Sequence, residues 1–287
     1  MNEEKDLYKN LKPYLNCIDY TVSNESYEVM YNEQLDMLVT SPLPKDLHNY
    51  YKSDNYISHT DSKKSLIDKV YQTVKKYALG KKLKLINSFT SNSKNLLDIG
   101  AGTGDFLKVC QQDGWYVSGV EPSNDARKIA DKKGIFLVDS IEKLSGKKFD
   151  VISLWHVLEH ITNIHDYIKE IKNLLTDNGT LIIAVPNYKS YDANYYKEHW
   201  AAYDVPRHVW HFSKTSIHKI FNFHQMKVSK ILPMKFDSYY VSLLSEKYKT
   251  GKMNPVKAFF IGLKSNMKAK AENNYSSLIF IIKKDKY

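Results

Sequence analysis

The sequence predicts an α/β protein: a doubly wound, seven-stranded, mostly parallel sheet with an N-terminal helical cap. Three observations predict it. The apolar run Asn95-Leu-Leu-Asp-Ile99 ends in a glycine-rich turn that opens a helix. A second apolar run ends in the acidic residue Glu121, after Gly119-Val120. Strand-like and helix-like stretches then alternate to about residue 232, an order that lays down parallel strands with helices on both faces.

In chain order, residues 1–90 read as the cap and a linking helix. The first sixty are irregular and rich in tyrosine, with Ser41-Pro-Leu-Pro44 as punctuation. From Lys63 to about Phe89, Leu66, Ile67, Val70, Val74, Tyr77, Ala78, Leu85 and Ile86 follow helical spacing, with a break expected at Gly80. Residues 91–287 read as the sheet domain. Asn95–Ile99 is its first strand and Trp115–Val120 its second. Ser123 can cap a helix that stops at Gly134. Ile135–Val138 is the third strand and Phe149–Trp155 the fourth. The stripe Ile164, Tyr167, Ile168, Ile171, Leu174 and Leu175 marks a one-faced helix. Asp177-Asn-Gly179 then turns the chain into a fifth strand, Thr180–Val185. Such near-continuous apolar runs suit strands buried on both faces. Ser213 can cap a later helix, and Lys227–Leu232 and Leu278–Lys283 can form an antiparallel edge. Insertions are expected at about 187–212 and 234–277, the second too long for a hairpin loop and so partly helical.

Bulk composition narrows the class. The 287 residues are 43% hydrophobic and 26% charged, ordinary values for a globular protein. No stretch approaches the roughly 18 consecutive apolar residues of a membrane span. The charged start Met1-Asn-Glu-Glu-Lys-Asp6 lacks a signal-peptide core. Two cysteines, Cys17 and Cys110, provide neither a disulfide framework nor a zinc quartet. A cytoplasmic protein is expected, of unspecified oligomeric state. Net charge is +10, and from Lys227 onward 13 lysines face 4 acidic residues, an excess of +9. That tail can meet nucleic acid, anionic lipid or a phosphorylated substrate. Scattered lysines and no arginine favour a solvated surface instead.

The glycine turn carries the chemistry. Gly100, Gly102 and Gly104 have the spacing G-x-G-x-G, tighter than the pattern of a pyrophosphate binder. Glycines there let a ligand lie against backbone, and a carboxylate ending the next strand, Glu121, can hold both hydroxyls of a ribose. With Asp98 before it, this turn resembles the first motif of the class I S-adenosylmethionine (SAM) methyltransferases, which are Rossmann-like. Phe149-Asp-Val-Ile-Ser-Leu-Trp-His-Val-Leu-Glu-His160 and Asn178-Gly-Thr-Leu-Ile-Ile-Ala-Val-Pro186 are similar to segments of the ubiquinone-type and related small-molecule methyltransferases. The resemblance covers residues 95–232 well and the rest loosely. It implies SAM as cofactor, S-adenosylhomocysteine (SAH) as product, and a small-molecule acceptor methylated at oxygen. It also implies that Asp98, Gly100, Ala101, Gly102 and Gly104, with Glu121 and Pro122, line the cofactor site. Asp139 and Ser140 would contact the adenine amino group, and Trp155 and His156 would sit beside the sulfonium.

Methyl transfer needs in-line positioning, and a base only if the acceptor loses a proton. The candidate bases are His208 and His211, then His156, with His160 also near. His156-Val-Leu-Glu-His160 fits the H-x-x-E-H protease signature as well, but the context after a buried strand is wrong for it. Glu159 and His160 resemble part of a divalent-cation set in some ubiquinone-type enzymes. A structural role is preferred because a full ligand set is not evident, and no metal is expected. The loop Trp200-Ala-Ala-Tyr-Asp-Val-Pro-Arg-His-Val-Trp-His-Phe-Ser213 resembles a D-x-P-R-H-x-x-H-F-S stretch of a broad methyltransferase group. Two readings stay open for it: a functional loop, or Arg207 paired with Asp204 and histidines packed on the sheet. The acceptor is expected between this loop and the aromatic run Tyr50–His59. The alternatives are a basic nucleic-acid-binding protein, an RNA methyltransferase, or a SAM-binding protein without catalysis. Trp155-His-Val-Leu stands where a base-flipping Asn-Pro-Pro-Tyr motif would, so nucleic acid is not the expected partner.

Overall fold

The computed structural model describes residues 7–51, 66–89 and 93–285, with side chains of 66–73 left aside. A six-stranded sheet runs in the order β5-β4-β6-β7-β10-β9. Its strands are β4 (Asn95–Ile99), β5 (Tyr116–Val120), β6 (Phe149–Trp155), β7 (Leu175–Pro186), β9 (Met226–Pro233) and β10 (Ser277–Lys284). β5, β4, β6 and β7 pair parallel, while β10 pairs antiparallel with both β7 and β9.

Strand pleat assigns the core to two faces, since successive side chains point to opposite sides. Leu97, Ile152, Leu181, Ile183 and Phe280 share one cluster. It also holds α4 (Ile164–Leu174), through Ile164, Ile168 and Ile171, and α6 (Lys214–Phe223), through Ile217, Ile220 and Phe221. Leu96, Val151, Ile182 and Ile281 belong to the other. There they meet Ile86 of α1 (Leu66–Asn87), Phe106, Leu107 and Cys110 of α2 (Asp105–Gln112), and Ala130 of α3 (Asn124–Asp131). Ser123 caps α3 through the Ala126 N–H, and Ser213 with Ser216 forms a capping box on α6. α1 runs through Gly80 without a break.

Two expectations need correction. Among the described residues the main sheet has six strands, not seven. Ile135–Val138 makes only an isolated parallel bridge, Val138 to Val120, because Phe136 faces solvent at 81% exposure and gives the run no second buried face. The N-terminal segment is also a sheet rather than a helical cap. β1 (Lys12–Ile18), β2 (Ser26–Asn32) and β3 (Met37–Ser41) pair antiparallel in order, and β8 (Trp210–His211) joins β3. Alternation in Ser26-Tyr-Glu-Val29 buries Tyr27 and Val29 and exposes Glu28, the period of a half-buried strand. Asp36 (φ +56) and Asn24 (φ +58) sit in the connecting turns, where Asn and Asp tolerate left-handed backbone.

The long connections hold structure of their own. Residues 187–212 contain α5 (Tyr191–Tyr196), two 3-10 turns and β8. Residues 234–277 hold α7 (Asp237–Thr250) and α8 (Pro255–Glu272), an antiparallel helical hairpin.

Candidate functional site

The glycine turn leaves β4 at the carboxyl edge of the sheet, where ligands bind in open α/β folds. Gly100, Gly102 and Gly104 all have positive φ, at +72°, +53° and +75°. A Cβ on Gly100 would stand 2.3 Å from Val157 Cγ2, so that glycine is required by packing. A Cβ on Gly102 would meet no protein atom within 4 Å. The space above Gly102 is therefore free for something other than protein. Glu121 reaches back from the end of β5. Its carboxylate accepts from the Gly102 N–H at 2.8 Å and from the Ser123 N–H at 2.8 Å. Arg127 fixes the same corner by donating to the carbonyls of Glu121 (2.6 Å) and Pro122 (2.7 Å). The turn and the acid paired with it in the sequence thus stand in contact.

Other expected cofactor residues divide. Asp98 is buried behind the turn and accepts from Ser153 Oγ at 2.6 Å. Burial raises it to about 7, against the Ser153 bond and Lys82. Asp98 therefore supports the turn from behind. Ala101 follows the first glycine, and its N–H is held by Val120 O at 3.0 Å. Asp139 pairs with Lys143 at 2.9 Å, while its other oxygen is buried without a hydrogen bond. Ser140 precedes a 3-10 turn over Ile141–Leu144. Trp155 ends β6 with its ring edge-on to Phe106 and its Nε1 buried and unpartnered. Lys82 of α1 lies 4.3 Å from the Trp155 ring centroid, a cation–π contact. Nothing in the helical periodicity of α1 singles that lysine out.

His156 follows at φ +57°, in left-handed backbone that non-glycine residues adopt at strained or functional positions. Its Nε2 is 3.0 Å from Asp237 Oδ2, and its Nδ1 is 3.4 Å from Glu159 Oε1. Burial alone would lower this imidazole, but the two carboxylates raise it to about 10. The two carboxylates thus favour the protonated, cationic imidazole. Asp237 starts α7, and sequence reasoning missed it because it lies some eighty residues away in an insertion.

Leu158–His160 forms a 3-10 turn rather than the helix a protease signature needs. Glu159 is fully buried, and neither carboxylate oxygen has a hydrogen bond. Burial pushes it up, but contact with His156 and the nearby His208 and His160 hold it low. His160 Nδ1 lies 3.0 Å from Arg207 O and 3.0 Å from Tyr51 Oη. Burial, reinforced by His208, lowers His160 to about 4. His208 Nδ1 lies 2.8 Å from Ala202 O, and its ring stands edge-on to His160 at 4.6 Å. One ligand atom from each of Glu159, His160 and His208 lies within 4.8 Å of the other two, a set that can hold a metal ion. The fold supplies the third member, His208, which adjacency in sequence does not reveal.

His211 is placed differently. Its Nε2 lies 3.0 Å from Thr40 Oγ1, inside the β3–β8 pairing, and burial pushes it well below the usual histidine range. Arg207 takes the paired reading. It is 1% exposed, donates from Nε to Asp204 at 2.9 Å and from Nη1 to Tyr50 O at 3.2 Å, and lies 3.5 Å from Asp19. Tyr50 and Tyr51 thus lie against this loop, while the remainder of the Tyr50–His59 run falls outside the described residues.

Known proteins show the same class. The chain matches the family described as methyltransferase domain over residues 70–229, more than half its length, and belongs to that family. It is 31% identical over 122 residues to the ubiquinone biosynthesis O-methyltransferase of Glaesserella parasuis serovar 5 (strain SH0165), covering 37% of this chain and 52% of that protein. It is 38% identical over 106 residues to the enzyme of that name from Pelagibacter ubique (strain HTCC1062), covering 33% and 44%. The chain spans about half the length of the curated relatives it matches. In fold it resembles magnesium protoporphyrin IX methyltransferase from Synechocystis PCC 6803 with bound SAH. The TM-score is 0.54 at 14% identity, covering 83% of this chain and 97% of that one. The plantazolicin methyltransferase in complex with SAH gives 0.52 at 16% identity, covering 84% and 94%. These likenesses show the fold. Among the described residues, no helix is long and apolar enough to cross a membrane.

Proposed function

We propose that the protein transfers the methyl group of SAM to an oxygen of a small-molecule acceptor and releases SAH, acting in the cytoplasm. One observation carries this reading: the Glu121 carboxylate meets the Gly102 N–H beside open space at the glycine turn. A ribose diol replacing that N–H as donor would bring the methionine end over Gly100–Gly104. Ala101 and Pro122 would line the same rim. The unpartnered Asp139 oxygen suits an adenine amino group beside Ser140. Bound SAM supplies an already activated methyl group, so the chain's task is to position and to accept a proton.

His208 is the proposed base. With Nδ1 turned to Ala202 O, its Nε2 faces Asp204 Oδ2 at 3.9 Å, beyond hydrogen-bond distance, and can take an acceptor proton. His156 holds its proton too tightly to act as a base and instead offers fixed positive charge beside an oxyanion. His211, bound to Thr40, is assigned to packing. Calorimetry of the full chain with SAM and SAH tests the reading. Binding at micromolar concentration is expected, and no heat with either ligand at that level overturns it.

A further inference from the structure

The helical hairpin of α7 and α8 is built with its polarity reversed. A helix on a globular core ordinarily turns its large apolar residues inward. α8 buries Ala258, Gly262, Ser265 and Ala269, a stripe of small residues at helical spacing. Gly262 packs so closely on α7 that a Cβ would stand 3.0 Å from Tyr239 Cα. Ser238 Oγ donates to Gly262 O at 3.2 Å, and Ser265 Oγ donates to Asp192 at 2.6 Å. The inner face is thus satisfied and closed.

Apart from Ile261, which packs inward, the large apolar side chains of α8 point the other way. Val256, Phe259, Phe260, Leu263 and Met267 recur at the i, i+3, i+4, i+7 and i+11 positions of one face, and Met253 precedes them. Val256 is 68% exposed, Phe260 61% and Met267 62%. Exposed lysines lie near this face: Lys264 and Lys268 beside it on α8, Lys247, Lys249 and Lys252 at the hairpin turn, and Lys270 near the end, with Lys264 and Lys249 over the rings of Tyr191 and Tyr195. The hairpin's acids do not offset them on that side. Asp237 faces His156, and Glu246 is buried under Tyr196 and Lys257. Glu272 closes the far end.

We propose that this face of α8 docks on an anionic lipid surface, with the apolar row entering the headgroup–acyl boundary and the lysines meeting lipid phosphates. A contiguous apolar stripe flanked by lysines on a helix too polar to span is the pattern of an interfacial helix. Charge decides against a second copy of the chain, because face-to-face pairing would oppose two like-charged lysine rows. A nucleic-acid backbone alone would leave the six apolar side chains without a partner. The proposal stands apart from the SAM reading, since it uses no residue of the glycine turn.

The test is co-sedimentation of the full chain with vesicles of phosphatidylcholine, with and without phosphatidylglycerol. Binding is expected only to the anionic vesicles and falls as salt rises. Two double variants separate the contributions: Val256→Asp with Phe260→Asp, and Lys264→Gln with Lys268→Gln. Each should bind about tenfold more weakly or worse, the order expected of two surface lysines or two inserted apolar groups. All four positions are exposed, so thermal unfolding and SAM calorimetry should match the parent chain. Failure of the parent chain to sediment with anionic vesicles overturns the proposal. So does parental binding by both folded variants. Self-association in ultracentrifugation that Val256→Asp with Phe260→Asp abolishes, without vesicle binding, reassigns the face to a second copy.

Discussion

Glu121 is the side chain on which the cofactor reading turns, because its carboxylate accepts directly from the Gly102 N–H. Replacing it with alanine leaves the Gly102 and Ser123 N–H groups to water and removes a charge-assisted partner from the ribose. Glu121→Ala should weaken SAM binding by about 1–3 kcal/mol in calorimetry. His156 makes a different prediction, through pH. Its folded value, about 10, lies above the ordinary histidine value of 6.5. A group raised in this way contributes stability that is fully present below about pH 6.5 and lost as pH rises through about 10. The stability deficit of His156→Gln in chemical denaturation should therefore be largest near pH 6 and shrink steadily toward pH 10. Asp237→Asn should move the His156 titration seen by NMR downward. A deficit that grows with pH would place the imidazolium elsewhere. His208→Gln should retain SAM affinity and lose about 10²–10⁴ in turnover on any acceptor found by screening. Full turnover by that variant would return the base to another group.

At the scale of elements, the glycine turn separates a packing requirement from a ligand requirement. Gly100→Ala places a methyl into Val157 at a left-handed position and should cost about 1–3 kcal/mol of folding stability. Gly102→Val also pays for its positive φ, yet meets open space, so its main effect should be loss of SAM binding in calorimetry. If Gly102→Val binds SAM as the parent does, the cofactor lies elsewhere. The parallel strands, the α3 cap at Ser123 and the Glu121 partner were legible because each is a local signal: an apolar run, a capping serine, an acid at a strand end. The N-terminal strands were not, although Tyr27-Glu-Val29 alternates as a strand should. Their turns lack the Asn-Gly or Asp-Gly pair that announces a hairpin. The first closes instead through Asp19, whose carboxylate accepts from the N–H groups of Thr21, Val22 and Ser23, and the second through Asn32, whose Oδ1 accepts from the Leu35 N–H. Likewise, β3 finds its second neighbour in β8, more than 160 residues on, a pairing that no local pattern encodes.

Across the whole molecule, the N-terminal sheet is bound into the fold in two ways, and one residue tests both. Leu7, Met37 and Val39 belong to the same apolar cluster as Leu97, Ile152 and Trp210, so the small sheet and the large one share a core. Arg207 adds a polar link that spans the chain. From the loop before β8 it meets Asp204, the Tyr50 carbonyl and Asp19 of the first turn. The side chain is 1% exposed, and Asp19 is 1% exposed as well. That depth decides the energetics, since a buried pair adds little net stability while intact but is costly to break from one side. Arg207→Met would leave Asp204 and Asp19 with like charges facing across a dry gap and the Tyr50 carbonyl without that donor. The loss should be about 3–5 kcal/mol in chemical denaturation, a large share of the stability of an ordinary domain. Because the loop also carries His208 and its Ala202 contact, the same variant should lower turnover while SAM affinity, set at the glycine turn on the far side of β6, stays near the parent value. A shared core further requires that parent and variant each unfold in one transition, with intrinsic fluorescence and circular dichroism coinciding. Two separated transitions in the parent would show that the N-terminal sheet folds as an independent unit, and that Arg207 links two domains rather than closing one.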